Sequence, residues 1–335
     1  MTLDEITEIC ISKNMQKFRA KQIYGWLMKG VDGFDEMKNL PLKDLECLKQ
    51  EYYISSAKIE QKYESKLDDT VKYLYKMHDG ELVESVVMKY KHGWSICVST
   101  QVGCLMGCKF CASTLNGKTR DLTAGEILSQ IYTAQKDLSI RISNIVLMGM
   151  GEPLDNFDNV VRFLQLVSCD DGLNIGMRHI SLSTCGLVPK IDELSNLGLQ
   201  LTLSVSLHAP NDEIRDKIMP VNHKWKVNEL IDACKRYIDK TGRRISFEYA
   251  LIKDVNDSNE CADELSKLLK GMICHINLIP ANPVKEREFS HPDLKNIRNF
   301  EQRLIKNGMN ATIRRTLGAD IKASCGQLRA KHNNK

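Results

Sequence analysis

SICVSTQVGCLMGCKFC (residues 95–111) reads as a β-strand that runs straight into a cysteine-rich loop. Cys104, Cys108 and Cys111 stand in C-x3-C-x2-C spacing, and no further cysteine or histidine lies close enough in sequence to complete a set of four. Iron–sulfur clusters are usually held by four thiolates. Three in one tight loop therefore point to a 4Fe-4S cubane with one iron left for a ligand that is not protein, and an open metal position is where substrate or cofactor binds. Two other readings of the same residues stand beside this one: a zinc knuckle with a remote fourth ligand, although zinc prefers closed tetrahedral sets, and three reduced core thiols.

The chain around this stretch has 335 residues, enough to bury a sizeable core in one large domain with an appendage or in two modest ones. At 42% hydrophobic and 27% charged residues its composition is that of an ordinary globular protein. Its apolar runs, such as NIVLMGMG, fall far short of the roughly 18 residues of a membrane helix. The start MTLDEITEIC lacks a basic region followed by an apolar one, so no export signal and no membrane partner is expected. Twelve cysteines scattered without such a signal suit a reducing, cytoplasmic setting and not a secreted disulfide scaffold. The net charge of +4 is too small to argue for nucleic acid by itself. Its distribution says more, because Arg314, Arg315, Lys322, Arg329, Lys331 and Lys335 crowd the end of the chain, and Lys13, Lys17, Arg19 and Lys21 crowd an early segment. Such clusters could contact phosphates, or could be solvated faces.

Residues 1–70 are read as a helical accessory domain able to dock RNA or merely to cap the larger domain. LDEITEICISKN forms one helix; FRAKQIYGWLMKG places Phe18, Ile23, Trp26 and Leu27 on one stripe; PLKDLECLKQEY starts at Pro41 and repeats Leu42, Leu45 and Leu48. Residues 71–94 form a β-hairpin extension, VKYLYKM and ELVESVVMKY joined through HDG. Within it Leu82, Glu84, Val86 and Met88 share a face, so Glu84 is either a desolvated carboxylate able to accept a proton or a charge on an exposed edge. Residues 95–320 alternate strand and helix. Strands are expected at 95–101, 144–151, 179–186, 201–209, 243–252 and 275–282, and the first helix opens with a Thr123–Glu126 capping box that turns Ile127, Ile131 and Leu138 inward. Six such repeats imply parallel strands with right-handed crossovers. An α/β partial (β/α)6 TIM-like barrel fits best, with a Rossmann-like open sheet as the other reading, and the first strand would deliver the cysteine loop to the barrel's C-terminal mouth. Residues 321–335 form a tail that carries Cys325.

GMGEP (149–153) ends the second strand with glycines and an acid, which allows close backbone approach and offers a carboxylate to an ammonium group. Ser183, Ser206, His208 and Asn282 sit at the ends of later strands. Each is an ordinary loop hydrogen-bonder by itself, but together at one mouth they suggest ligand contacts.

The C-x3-C-x2-C loop, with Phe110 before its last cysteine, resembles the radical S-adenosylmethionine (SAM) superfamily, and GMGEP resembles its glycine motif. The resemblance narrows over residues 14–328. FRAKQIYGWLMKGVDGFDEMKNLP, VESVVM, CVSTQVGCLMGCKFCASTLNG, RDLTAGEI, MGMGEPLDN, SLSTCGLVPKI, SLHAPND, RDKIMPVN, TGRRISFEYALIKDVNDS, LIPANP and RRTLGADIKASCGQL are together similar to the RlmN/Cfr family of RNA adenosine methyltransferases. Pro153 and the FRAKQIYGWL segment resemble the RlmN type. That type methylates C2 of an adenosine in the peptidyl-transferase loop of 23S rRNA and of the adenosine 3′ of the tRNA anticodon, whereas the Cfr type methylates C8. By this resemblance Cys104, Cys108 and Cys111 hold a 4Fe-4S cluster, and Gly151, Glu152, Ser183, Ser206, Leu207, His208 and Asn282 contact SAM. Cys325 carries the methyl group, Cys97 is the second catalytic cysteine and Glu84 is the proton acceptor.

The chemistry that this resemblance implies has an electronic reason, because an sp2 carbon flanked by nitrogens is no nucleophile and needs cofactor radical chemistry; its steps are those of the family. One SAM methylates Cys325; a second is cleaved by the reduced cluster, and the radical so formed takes a hydrogen from the S-methyl group. The thiomethylene carbon adds to adenine, a proton is removed, and Cys97 attacks Cys325 to form a disulfide that frees the base. Two SAM molecules are used per methyl, an electron donor such as flavodoxin or ferredoxin is required, and the protein is expected to act as a monomer. A glycyl-radical activating enzyme, or an RNA-binding module with a vestigial cluster, would share the loop but gives no reason for both Cys97 and Cys325.

Overall fold

A computed structural model gives the fold and describes residues 1–282, 284, 286 and 288–328. Arg329, Lys331 and Lys335 of the expected basic tail lie outside the described residues. Three helices come first: α1 (Leu3–Ser12), α2 (Arg19–Leu27) and α3 (Leu42–Glu51). They enclose their own apolar cluster around Ile6, Ile23, Tyr24, Leu45 and Leu48. Two expected positions differ. Phe18 precedes α2 and is exposed while Ala20 and Tyr24 turn inward with Ile23, and Leu42 is exposed in the first turn of α3.

The remaining elements are β1 (Lys58–Glu64), β2 (Val71–Lys76), β3 (Leu82–Tyr90), β4 (Gly93–Cys97), β5 (Gln101–Gly103), β6 (Lys118–Asp121), α4 (Ala124–Leu138), β7 (Ile142–Leu147), α5 (Phe157–Ser168), β8 (Ile180–Thr184), α6 (Val188–Asn196), β9 (Thr202–Ser206), α7 (Asp212–Ile218), α8 (Val227–Thr241), β10 (Ile245–Leu251), α9 (Asn259–Leu268), β11 (Cys274–Pro280), α10 (Leu294–Lys306) and β12 (Ala311–Ile313). Ten strands form one sheet in the order β1-β2-β3-β4-β7-β8-β9-β10-β11-β12. Pairing is antiparallel from β1 to β4 and parallel from β4 to β12, so the expected partial barrel is present and extended at one edge by the hairpin strands. Side chains alternate faces along a strand; Ile145 and Leu147, Leu203 and Val205, and Phe247 and Tyr249 share the face packed into the core, while the buried Ser204 and Glu248 lie on the other.

The structure corrects the sequence reading at three strands. KIEQKYE, within the stretch taken as helical, is the edge strand β1; nearly all its side chains face solvent, so no alternation marked it. The strand expected over 95–101 stops at Cys97, and Gln101–Gly103 becomes part of a separate two-stranded ribbon with β6, because Thr100 and Gln101 donate their N–H groups to Met150 O. β12 adds a short parallel strand beyond the six expected. The capping box at α4 is formed as read, with Glu126 also gripped by Arg120 at 2.9 Å. Among the described residues no helix is long and apolar enough to cross a membrane.

Candidate active site

A cavity of about 160 Å³ opens at the C-terminal ends of the parallel strands. Cys104, Cys108 and Cys111 line it from one side, Gly151, Glu152, Ser183, Ser206, His208 and Asn282 from the strand ends, and Cys325 from the C-terminal segment. Leu207 does not line it: its side chain is fully buried, its N–H donates to Glu248 O at 3.1 Å and its carbonyl accepts from Arg215.

The cysteine loop is fastened at both ends. Cys104 N donates to Gly117 O at 2.9 Å, and Gly103 (φ +77°) has a backbone that a side chain would drive into that same carbonyl. Thr114 Oγ1 donates to the carbonyls of Cys108 and Cys111, and Lys109 N donates to Ile218 O at the end of α7. Burial pushes the Cys104 thiol up to about 12 and the Cys108 thiol higher still. Such thiols hold their protons until a metal displaces them. Phe110 packs edge-on against His208, ring centroids 4.9 Å apart, joining this loop to the strand-end residues.

Opposite the loop, Glu152 is buried and its carboxylate accepts from Leu154 N at 3.0 Å and Cys185 N at 2.7 Å, while burial raises its pKa. It thus clamps the turn after β7 to the turn after β8. Gly151 has φ +105°, and any Cβ there would meet Gln101 Cβ at 2.6 Å, so this close approach requires glycine. His208 adopts a left-handed backbone (φ +57°), its Nδ1 accepts from Ala250 N at 2.8 Å, and burial pushes its pKa down to about 3, so the ring is neutral.

The second thiol pair lies toward β3 and β4. Cys97 is buried on β4 between β3 and β7, and burial followed by the neighbouring Cys325 pushes its thiol up to about 12. Asn282 Nδ2 donates to Cys325 O at 3.1 Å. Both cysteines are free thiols, so the disulfide between them is not formed in this structure. Glu84 is not on an edge, since β3 pairs with both β2 and β4; it is buried and ion-paired to Lys72 at 3.3 Å, and Lys72 also reaches Lys322 O at 3.4 Å. Arg314, expected among solvent-facing phosphate contacts, instead lines the cavity beside Cys325, 3.8 Å from the buried Glu248. Arg315 and Lys322 are exposed. The sequence reading missed Glu248, although a lone charge in the apolar strand FEYAL was its signal, and missed Cys185, which lines the cavity with its carbonyl on Arg215.

The match to known proteins follows this geometry. Residues 98–265 match the radical SAM superfamily, which makes the protein an enzyme of the radical SAM class, and residues 1–54 match the ribosomal RNA large subunit methyltransferase N-terminal domain. The chain is 55% identical over 332 residues to a probable dual-specificity RNA methyltransferase RlmN from Clostridium novyi, covering 99% of this chain and 97% of that one. A protein of the same name from Alkaliphilus oremlandii is likewise 55% identical, with the same coverage. The fold superposes on the crystal structure of a radical SAM methyltransferase from Sphaerobacter thermophilus with TM-score 0.95 and 41% identity, covering 99% of this chain and 98% of that one. The chain belongs to the RlmN family.

A 4Fe-4S cluster and SAM are the usual cofactors of this class, and the cavity suits both. Among the described residues no three His, Cys, Asp or Glu side chains converge tightly enough to hold a single metal ion. The three soft thiolates of one loop suit the several irons of a cubane better than one zinc. The residues facing them combine apolar walls with convergent polar groups, as a small-molecule site requires.

Proposed function

We propose that this enzyme methylates C2 of an adenosine in the peptidyl-transferase loop of 23S rRNA and of the adenosine 3′ of the anticodon in tRNA. The observation that carries this reading is the single cavity shared by the three loop cysteines, the SAM-facing strand ends and Cys325. Cluster and SAM, when bound, supply the methyl group and the one-electron chemistry that an unreactive aromatic carbon demands. Cys104, Cys108 and Cys111 hold the cluster, and Gly151, Glu152, Ser183, Ser206, His208 and Asn282 orient SAM. Leu207 takes part only through its backbone.

Cys325 accepts the methyl on sulfur and presents its carbon to adenine. Arg314 lines the same cavity as Cys325, and its guanidinium, held protonated first by the neighbouring Cys325, is a fixed cation next to the methyl carrier. Glu84 accepts the proton from the adduct, and Lys72 is its ion-pair partner at 3.3 Å. Cys97 then attacks Cys325, and a transient disulfide releases the base. The base must be unstacked from a folded RNA to reach this mouth. The three N-terminal helices are an RNA-docking domain of residues 1–70, β1 included, and the exposed Arg315 and Lys322 contact phosphate. The enzyme works in the cytoplasm as a monomer and takes electrons from a flavodoxin or ferredoxin. Mass spectrometry of nucleosides from 23S rRNA and tRNA treated with the enzyme tests the reading: 2-methyladenosine in both is expected, and 8-methyladenosine, or no product in either RNA, contradicts it.

A further inference from the structure

We propose that Arg215 is the positioning residue that ties the SAM-facing strand ends to the cluster loop and provides the fixed positive charge against which the cluster is reduced. The inference rests on the cluster reading above and concerns a residue outside the cavity lining. Arg215, on α7, is fully buried. Its guanidinium donates to three backbone carbonyls in two turns and to one side chain. Nε donates to Leu207 O at 3.0 Å, Nη2 to Cys185 O at 2.7 Å and Ser206 O at 3.1 Å, and Nη1 to Asn222 Oδ1 at 3.0 Å. The turns after β8 and β9, which bring Ser183, Ser206 and His208 to the cavity, are therefore held by one side chain. Gly186 (φ +107°) makes the turn beside it, where a Cβ would crowd the Leu230 side chain at 3.0 Å.

The same short helix supports the cysteine loop. Ile218 O, at its last residue, accepts from Lys109 N at 2.9 Å, and Pro220 lies against Gly107, 3.3 Å from where a Cβ would stand. Arg215 thus couples the two walls of the cavity through one rigid element.

Its acceptors are all neutral. Among the described residues no carboxylate pairs directly with it; Asp212 and Asp216 are reached only through Asn222 Nδ2, at 2.9 and 2.7 Å, and Asp216 is itself paired with Lys226. An unpaired buried charge is costly, and arginine does not escape by losing its proton. The guanidinium stands one hydrogen bond behind Cys185, which lines the same cavity as Cys104, Cys108 and Cys111, so its charge faces the place where the cluster is held. A cubane held by three thiolates is an anion and gains one more negative charge on reduction. A fixed cation nearby favours the reduced state and so raises the potential.

The test uses the full-length protein with its cluster reconstituted anaerobically, and reads the midpoint potential by EPR-monitored titration and SAM affinity by equilibrium dialysis. Arg215→Gln removes charge and fork. A potential more negative by about 59 mV, a tenfold change in the one-electron reduction equilibrium, is expected, with SAM bound about tenfold more weakly, the scale of a lost charge-assisted hydrogen bond. Arg215→Lys keeps the charge and loses the fork, so the parent potential with weakened SAM binding is expected. An Arg215→Gln protein with parent potential and parent SAM affinity overturns the proposal. Where Arg215→Gln takes up no cluster, Arg215→Lys decides alone, and either parent SAM affinity or a shifted potential overturns it. Failure of the cluster reading would appear separately, as absence of iron and sulfide from the unaltered protein.

Discussion

Two irregular segments bring cysteines to the same cavity, and they are held in opposite ways. Residues 104–111 are anchored to the barrel itself, at Gly117, Thr114 and Ile218, within a short stretch of chain. Residues 317–328 are tied instead to several parts of the chain far apart in sequence, Lys72 holding the Lys322 carbonyl midway. At one end Gly318 N donates to Asp68 and Ser65 donates to Asp320; at the other Ala112 N donates to Gly326 O and Ser113 to Leu328 O. Cys325 lies between, tied at its carbonyl by Asn282. The difference matches the chemistry assigned to each: a cluster needs fixed ligands, whereas a methyl carrier must meet SAM, adenine and Cys97 in turn.

Changes in the first segment should therefore destroy everything and changes in the second only methyl transfer. Cys108→Ala should lose iron, and product formation should fall by at least about 10⁴-fold, the scale of losing an essential covalent group. Cys325→Ala should lose product as completely yet keep iron and SAM binding, measured by metal analysis and dialysis. Cys97→Ala should form product far more slowly and accumulate a protein–RNA adduct on denaturing gels. A Cys97→Ala enzyme of normal turnover would break the assignment.

The pH dependence sharpens it further. The Cys97 thiol is raised to about 12, so its thiolate fraction climbs with pH well past the range of an ordinary thiol. Resolution of the adduct in single-turnover assays should rise about tenfold per pH unit between pH 7 and 9 without levelling; a plateau near pH 8 would contradict the buried setting. Beneath the C-terminal segment, Lys72→Met should leave Glu84 buried without its cation and lower stability by about 3–5 kcal/mol in urea unfolding. Least in size, Arg315→Ser with Lys322→Ser should flatten the salt dependence of RNA binding by about one to two in slope, read from affinities at several salt concentrations.

The same contrast explains what could be read in the chain before its fold was known. The cysteine spacing and the six strand-to-helix repeats are local patterns, and they placed the loop at the barrel mouth correctly. β1 escaped because an edge strand with both faces wet has no alternation to read. The burial of Glu84 depends on β4 closing over its strand, which alternation alone does not determine. Arg314 looked like one more charge in a basic tail, since only the folded chain sets it against Glu248. Arg215 stood within the RDKIMPVN motif without a role of its own, because apart from Asn222 its partners are backbone carbonyls from two other turns.

The central claim is that the methyl group travels through Cys325. Incubating the reconstituted enzyme with SAM carrying a deuterated methyl group, in the absence of RNA, and mapping the digested protein by mass spectrometry tests it most directly. The expected result is one labelled methyl on the peptide containing Cys325, passed to adenine when RNA and reductant are added. Labelled RNA formed while Cys325 stays unlabelled would contradict it.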